Sequence, residues 1–264
     1  MASLPDVDTG RLTLCMLASG SKGNAIYLSD GRTSVLIDAG LSGKEIERRL
    51  GQQNIDPESI SAIVVSHEHS DHIQGVGVLS RRYQLPVYIN PDTLAAAPKL
   101  GKLFEVRPFE CGRSFHLDGL LIHPFSISHD AADPAGFTIS QNGAKIGIAT
   151  DLGIATGMVK EHLRDCSALV LEANHDPDML INGPYPWYLK QRIRGRTGHL
   201  SNQASGDLLQ EIQHGQLSHV VLAHLSETNN THQIAYDSVF PALTRCRPQI
   251  SVASQDRSGA LISL

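Results

Sequence analysis

Apolar residues in this chain fall into short, spaced runs, and run length sorts them into elements. Leu12 to Leu17, Ala25 to Leu28, Val35 to Ile37, Ala62 to Val65, Val87 to Ile89, Leu120 to Ile122, Phe137 to Ile139, Ile146 to Ala149, Ala168 to Leu171 and Val220 to Ala223 are short and apolar, and read as strands. Lys44 to Leu50, Thr156 to Leu163, Ser201 to Ile212 and Gln233 to Leu243 read as helices. In the third, Ala204, Leu208 and Ile212 fall four apart behind Ser201 as an N-cap. The pattern predicts an α/β chain with hairpin-like strand pairs near its start. No stretch is rich enough in Pro, Gly or Ser to be a linker, so residues 1–264 are expected to form a single domain.

Polar residues capable of chemistry stand where the apolar runs stop. Asp38 follows Val35-Leu36-Ile37, and the run His67-Glu68-His69-Ser70-Asp71-His72 follows Ile63-Val64-Val65. His129 comes after the segment Leu121 to Ile127, Asp151 after Ile146 to Thr150, and His224 after Val220 to Ala223. Residues projecting from several strand ends along one rim are how an α/β fold gathers a site from remote sequence. The density of ligand atoms from His67 to His72 brings nothing to a folding core, because buried polar groups without partners cost free energy; it points to metal binding. His67 and His69 can face one ion, and Asp71 and His72, a turn later, can face a second.

Composition narrows the picture further. The chain has 13 histidines, its compositional anomaly, while 41% apolar and 19% charged residues suffice for a core and exclude disorder. Cys15, Cys111, Cys166 and Cys246 stand far apart with no C-x-x-C pair, which argues against a thiolate zinc site or a disulfide framework and fits a reducing cytoplasm. The start, MASLPDVDTGRL, has acidic residues and no apolar leader, and no apolar run approaches the roughly 20 residues of a membrane span. A soluble, cytoplasmic protein without a membrane partner is expected. The net charge of −5 means that a grip on nucleic acid must come from a local patch or bound metal.

The spacing H-x-H-x-D-H, followed by a lone His, a lone Asp and a final His, with Asp38 ahead, resembles the metallo-β-lactamase fold over nearly the whole chain. That resemblance implies a four-layer αβ/βα sandwich with two divalent metal ions at one edge. It implies His67, His69 and His129 on one ion, Asp71, His72 and His224 on the other, Asp151 bridging, and Asp38 orienting a ligand imidazole. Manganese and zinc suit such ligands, and iron is also accepted. Gly198-His199-Leu200-Ser201-Asn202 resembles the extra-histidine motif of the phosphodiesterase branch. Leu17 to Asn24, Leu171 to Asp176, Gly183 to Trp187, and His224-Leu225-Ser226 with Asn229-Asn230 resemble the WalJ/YycJ group of bacterial proteins, regarded as 5′ to 3′ DNA exonucleases. The stretch from Asp151 to His224 is too short for the module that β-CASP nucleases insert there, and no Gly-rich arm of the transfer-RNA 3′ endonuclease type is present.

Two divalent ions beside Asp71 and Asp151 leave a local positive excess that attracts a phosphodiester. Ions about 3.5–4 Å apart share a water and lower its pKa, and Asp71 can align that nucleophile or take its proton. His199 is the candidate general acid, since an unperturbed imidazole titrates near ~6.5; the alternative is a ring packed beside the Ser201 cap. Substrate grip is expected from Pro184 to Arg196, which joins the only tryptophan to Lys190, Arg192, Arg194 and Arg196. On a helix, Lys190 and Arg194 share one face and Leu189 and Ile193 another. Trp187 offers a ring for base stacking, although packing is the better reading. Ser19, Ser21 and Asn24 suit a phosphate or an ordinary hairpin, Ser226 and Asn229 suit substrate or a turn, and Glu172 and His175 end a strand behind the ligands. Three readings stand: a DNA exonuclease, a small-molecule phosphodiesterase with a closed pocket, and a metal-bound binding or regulatory protein without turnover.

Overall fold

The computed structural model describes residues 10–264; residues 1–9, part of the stretch read as lacking a leader, lie outside the described residues. One sheet holds β1 (Thr13–Ala18), β2 (Ala25–Ser29), β3 (Ser34–Ile37), β4 (Ala62–Val64), β5 (Pro86–Ile89), β6 (Glu105–Pro108) and, beside β1, the chain's last strand β14 (Ile262–Ser263). The second holds β7 (Phe115–Leu117), β8 (Leu120–Ser126), β9 (Ala135–Gln141), β10 (Ala144–Ala149), β11 (Ala168–Glu172), β12 (His219–Ala223) and β13 (Gln249–Val252). Each sheet begins as an antiparallel meander and continues in parallel, from β3 to β6 in the first and from β10 to β13 in the second.

Alternation within the runs assigns their faces. Val35 and Ile37 of β3 and Ala62 and Val64 of β4 join Ile146, Ile148, Ala168 and Val170 of the other sheet in a core between the sheets. Their neighbours Leu36, Ile63 and Val65 point outward, under Ile46 and Leu50 of the helix Gly43–Gln52 and Val76 and Leu79 of the helix Val76–Tyr83. Leu169 and Leu171 likewise meet Val159 and Leu163 of the helix Gly157–Leu163 and Leu208, Leu209 and Ile212 of the helix Asn202–Ile212. Burial on both faces is why these parallel strands read as unbroken apolar runs. The result is the four-layer αβ/βα sandwich of the metallo-β-lactamase fold.

Element ends follow local chemistry. Ser201 Oγ accepts from Ala204 N, capping its helix as expected. The helix read as Gln233 to Leu243 instead spans His232–Val239 and tightens into a 3-10 turn at Phe240–Ala242, where Pro241 has no N–H to donate. The helix in the basic segment is Trp187–Arg194 and starts only after Pro186. No helix among the described residues is long and apolar enough to cross a membrane.

Candidate metal centre

Parallel strands bring their C-terminal ends to one rim, where three non-glycine residues turn the chain sharply. Asp38 after β3, Asp151 after β10 and His224 after β12 have φ of 61°, 57° and 56°. An L-residue in that left-handed region costs free energy, and such strain persists where surrounding contacts hold it. It ends each strand and directs the side chain over the rim. Beside Asp38 the backbone is as tight as the chain permits: a Cβ on Gly40 would lie 1.6 Å from Asp71 O. The same crossing ties Gly40 N to Asn24 O at 2.8 Å and Asn24 N to Asp71 O at 2.7 Å.

Two sets of side chains converge there. His67, His69 and His129 offer nitrogens close enough to share one ion, and Asp71, His72 and His224 form a second group. Asp151 touches both: Oδ1 is 3.9 Å from His129 Nε2 and 3.4 Å from His224 Nδ1, and Oδ2 is 3.2 Å from His72 Nε2. Asp71 Oδ2 stands 3.6 Å from His72 Nε2 and 3.7 Å from His224 Nε2.

The residues behind the rings fix which nitrogen faces inward. Asp38 accepts from Ser66 N and from Ser66 Oγ, both at 2.7 Å, and Oδ2 also accepts from His72 Nδ1 at 2.7 Å. With its proton committed to Asp38, Ser66 Oγ is left to accept from His67 Nδ1 at 2.9 Å. His129 Nδ1 donates to Gly198 O at 3.2 Å and His224 Nδ1 to Glu172 Oε1 at 2.8 Å. All four imidazoles therefore keep their Nδ1 proton toward the protein and turn Nε2 toward the common space, as ligand tautomers do. His67 Nε2, His224 Nε2 and Asp151 Oδ2 are buried there without a hydrogen-bond partner. Orphaned buried acceptors of this kind cost free energy unless a cation takes them, so the donor set fits divalent metal.

Electrostatics agree with a site suited to positive charge. Burial pushes the His72 and His224 imidazoles down, but the charge of Asp151, joined by Asp38 at His72 and by Asp71 and Glu172 at His224, outweighs it; His72 is held well above its ordinary value and His224 at about 10. Burial opposes charge on Asp151 as well, yet His224 and His72 hold it well below the usual carboxylate range. His67 is pushed well below its ordinary value, by burial first and by His72 second. Without a cation, protons on His72 and His224 balance the buried carboxylates, and metal binding displaces them.

Glu172, at the end of β11, has the most contacts behind the ligands. Oε1 accepts from His199 Nδ1 and His224 Nδ1, both at 2.8 Å, and Oε2 from Leu152 N at 2.7 Å and Leu200 N at 3.0 Å. Burial raises its carboxyl, but the charge and hydrogen bond of His199 and then those of His224 win, holding it at about 2. His175, expected beside it, is buried and pushed down to about 4, chiefly by burial, yet its Nδ1 has no partner and it makes no hydrogen bond to a candidate ligand.

Above the ligands opens a pocket of about 260 Å³, lined among others by Ser21, Asp71, Tyr185, Leu189, Arg192, His199 and Ser226. Several candidate substrate residues do not reach it. Lys190 is buried, its Nζ donating to Ile181 O and Gly183 O at 2.7 Å each, so its charge serves the fold and not a phosphate. Ser19 is buried and accepts from His224 N at 2.7 Å, positioning that residue. Asn24 is buried with its amide on Gly20 O, Asp71 and His72. Asn229 is fully buried and braces Ser226 through its backbone N–H at 3.1 Å. Arg192 lies at the pocket, paired to Asp130 at 2.6 Å, while Arg194 and Arg196 are exposed beyond it. Trp187 is not packed: it is 62% exposed. Ser66 and Asp130 carry parts of the site that sequence reading passed over, while Tyr185 lies within the segment expected to grip substrate. Ser66 and Asp130 adjoin the ligands His67 and His129, and adjacency was the available signal.

Comparison with known proteins shows the family. Residues 33–225 match the family model of the β-lactamase superfamily domain. The chain is 38% identical over 235 residues to exodeoxyribonuclease YycJ of Bacillus anthracis, covering 88% of this chain and 89% of that protein. It is 37% identical over 226 residues to exodeoxyribonuclease WalJ of Streptococcus pneumoniae serotype 2, covering 84% of each. The crystal structure of the metallo-β-lactamase fold protein YhfI from Bacillus subtilis superposes with a TM-score of 0.76 at 16% identity, covering 96% of this chain and 100% of that one; this likeness is one of fold. Ligand spacing, fold and relatives together place the chain in the β-lactamase superfamily, among the metallo-β-lactamase-fold hydrolases and with the group that holds YycJ and WalJ.

Proposed function

We propose that this protein is a two-metal phosphodiesterase that removes nucleotides from DNA, starting at the 5′ end, with His199 as general acid. The observation that carries the reading is His199 itself. It lines the pocket above both ligand groups, its Nδ1 is held by Glu172 at 2.8 Å, and its Nε2 remains available. Relatives bearing the name exodeoxyribonuclease across most of their length support DNA as the polymer.

His67, His69 and His129 would hold one ion and Asp71, His72 and His224 the other, with Asp151 between them. Manganese or zinc bound there would supply a water of lowered pKa and a positive field for the phosphate. Asp71, partly open to the pocket, is placed to align the attacking water and accept its proton. Protonated on both nitrogens, His199 would give its Nε2 proton to the departing oxygen as the P–O bond breaks, while its Nδ1–H stays on the Glu172 carboxylate, which holds the ring's orientation and offsets its positive charge. Arg192, Arg194 and Arg196 would attract the backbone outside the pocket, and Ser21 and Ser226 would meet it inside. The four cysteines are free thiols, in keeping with action in the cytoplasm.

Leaving-group chemistry tests the assignment. Bis-p-nitrophenyl phosphate departs as a stable anion and needs little protonation, whereas a deoxyribose oxygen needs much. Replacing His199→Ala should lower kcat on DNA by about 10²–10⁴-fold and on the small diester far less, while Asp71→Ala lowers both. Equal losses on both substrates for His199→Ala, with metal content intact, would remove its role as acid. Turnover of the diester alone by the unaltered protein would favour a small-molecule phosphodiesterase.

A further inference from the structure

Tyr185 lines the pocket and Tyr188 follows it on the helix Trp187–Arg194, in a segment built to hold both in place. Pro184 and Pro186 flank Tyr185, locking φ on either side and keeping the residue before each ring extended. Beneath this turn the Lys190 ammonium ties together the carbonyls of Ile181 and Gly183, and a Cβ on Gly183 would lie 2.5 Å from Asn229 Oδ1, so the turn has little room to shift. Tyr185 then lines the pocket beside Leu189, Arg192 and Ile193. Those last three recur at i, i+3 and i+4, which defines the pocket-facing side of the helix Trp187–Arg194. Tyr188 comes four residues before Arg192, one turn away on the adjoining row, and is 75% exposed. By the same step of about 100° per residue, Trp187 falls on the opposite side with Gln191 and Arg194.

A ring that leaves three-quarters of its surface in water contributes little to the core, and one helical turn from the pocket-lining Arg192 it is free to take a base on its face. Tyr188, Arg192 and Tyr185 set flat aromatic surface next to positive charge, beside a centre that attracts anions. Unpaired nucleotides alternate flat rings with phosphates, whereas bases inside a duplex keep their faces stacked on one another. We infer that the strand being digested enters unpaired, with bases stacked on Tyr188 and then Tyr185, and with the phosphate between them drawing Arg192 from its pair with Asp130. This rests on the exonuclease reading above and adds the state in which its substrate is bound.

The test uses metal-loaded protein and 5′-labelled single-stranded DNA, either intact or carrying one abasic site at successive positions near the end. Tyr188→Ala should raise KM about tenfold with a smaller change in kcat, Tyr188→Phe should restore it, and Trp187→Ala should leave KM within about twofold. At one abasic position the unaltered protein should lose the same factor, and there Tyr188→Ala should add nothing, because a ring and the base it stacks on form one interaction. Unchanged KM in Tyr188→Ala, or a loss that stays the same at every abasic position, overturns the stacking path. If the unaltered, metal-loaded protein digests no DNA, the exonuclease reading falls first and the path falls with it.

Discussion

Replacing Glu172 by glutamine changes one atom and tests the region behind both the proposed acid and a ligand. The carboxylate accepts four hydrogen bonds, two from imidazoles and two from backbone N–H groups, and no part of it reaches solvent. A glutamine oxygen can take over two of these; its amide nitrogen can take none, so two donors must face a donor whichever way the group turns. At about 1–3 kcal/mol for each orphaned buried donor, the loss in the metal-free protein is about 2–6 kcal/mol. One escape exists: His199 and His224 can give up the Nδ1 proton, keep one on Nε2 and accept at Nδ1. That spares stability but removes the Nε2 lone pair His224 would offer a metal, lowering affinity about 10–100-fold. Urea unfolding of metal-free protein and a metal titration read the two losses separately. Because Glu172 is held at about 2, below an unfolded glutamate's ~4.3, its contribution is complete above that range and disappears as pH falls toward about 2. Wild-type stability together with wild-type metal affinity in Glu172→Gln would refute the role given to this residue.

Other consequences are as definite. Lys190→Met leaves the carbonyls of Ile181 and Gly183 without their charged donor and should cost about 2–3 kcal/mol, seen as a lower denaturant midpoint at unchanged slope; no shift would mean that the ammonium is not spent on the fold. Gly40→Ala places a methyl group against the Asp71 carbonyl, where only backbone can yield, so a loss of about 3 kcal/mol or more and reduced metal content are expected on thermal unfolding and metal analysis. Metal uptake at neutral pH should release protons from His72 and His224, and affinity should rise with pH from neutral toward about 10; calorimetry in buffers of different ionisation enthalpy would expose the error if no proton is released.

The parts of this protein that bury apolar surface on two sides announced themselves in the sequence. β3, β4, β12 and the Ile146 to Ala149 part of β10 are unbroken apolar runs, and Asp38, His67, His224 and Asp151 stand where those runs end. Edge strands did not: β6 and β13 expose one or both faces, keep polar residues such as Glu105, Arg107, Gln249 and Ser251, and lack a run to read. Side-chain direction was the other gap. Lys190 and Arg192 looked alike as basic residues two apart, yet one turns under the helix to bond carbonyls and the other meets the pocket, a difference set by packing against Ile181 and Gly183. Glu172 could be placed behind the ligands from its strand end, but its hold on His199 and His224 together depends on two distant loops meeting over β11.

The most direct measurement of the whole account follows linear DNA labelled at either the 5′ or the 3′ end, incubated with protein whose metal content has been determined. Immediate release of the 5′ label as a short product, with the 3′-labelled strand shortening stepwise and the Asp71→Ala variant inert on both, is the result predicted. Intact DNA in the presence of fully metal-loaded protein, or shortening that begins at the 3′ end, would contradict it.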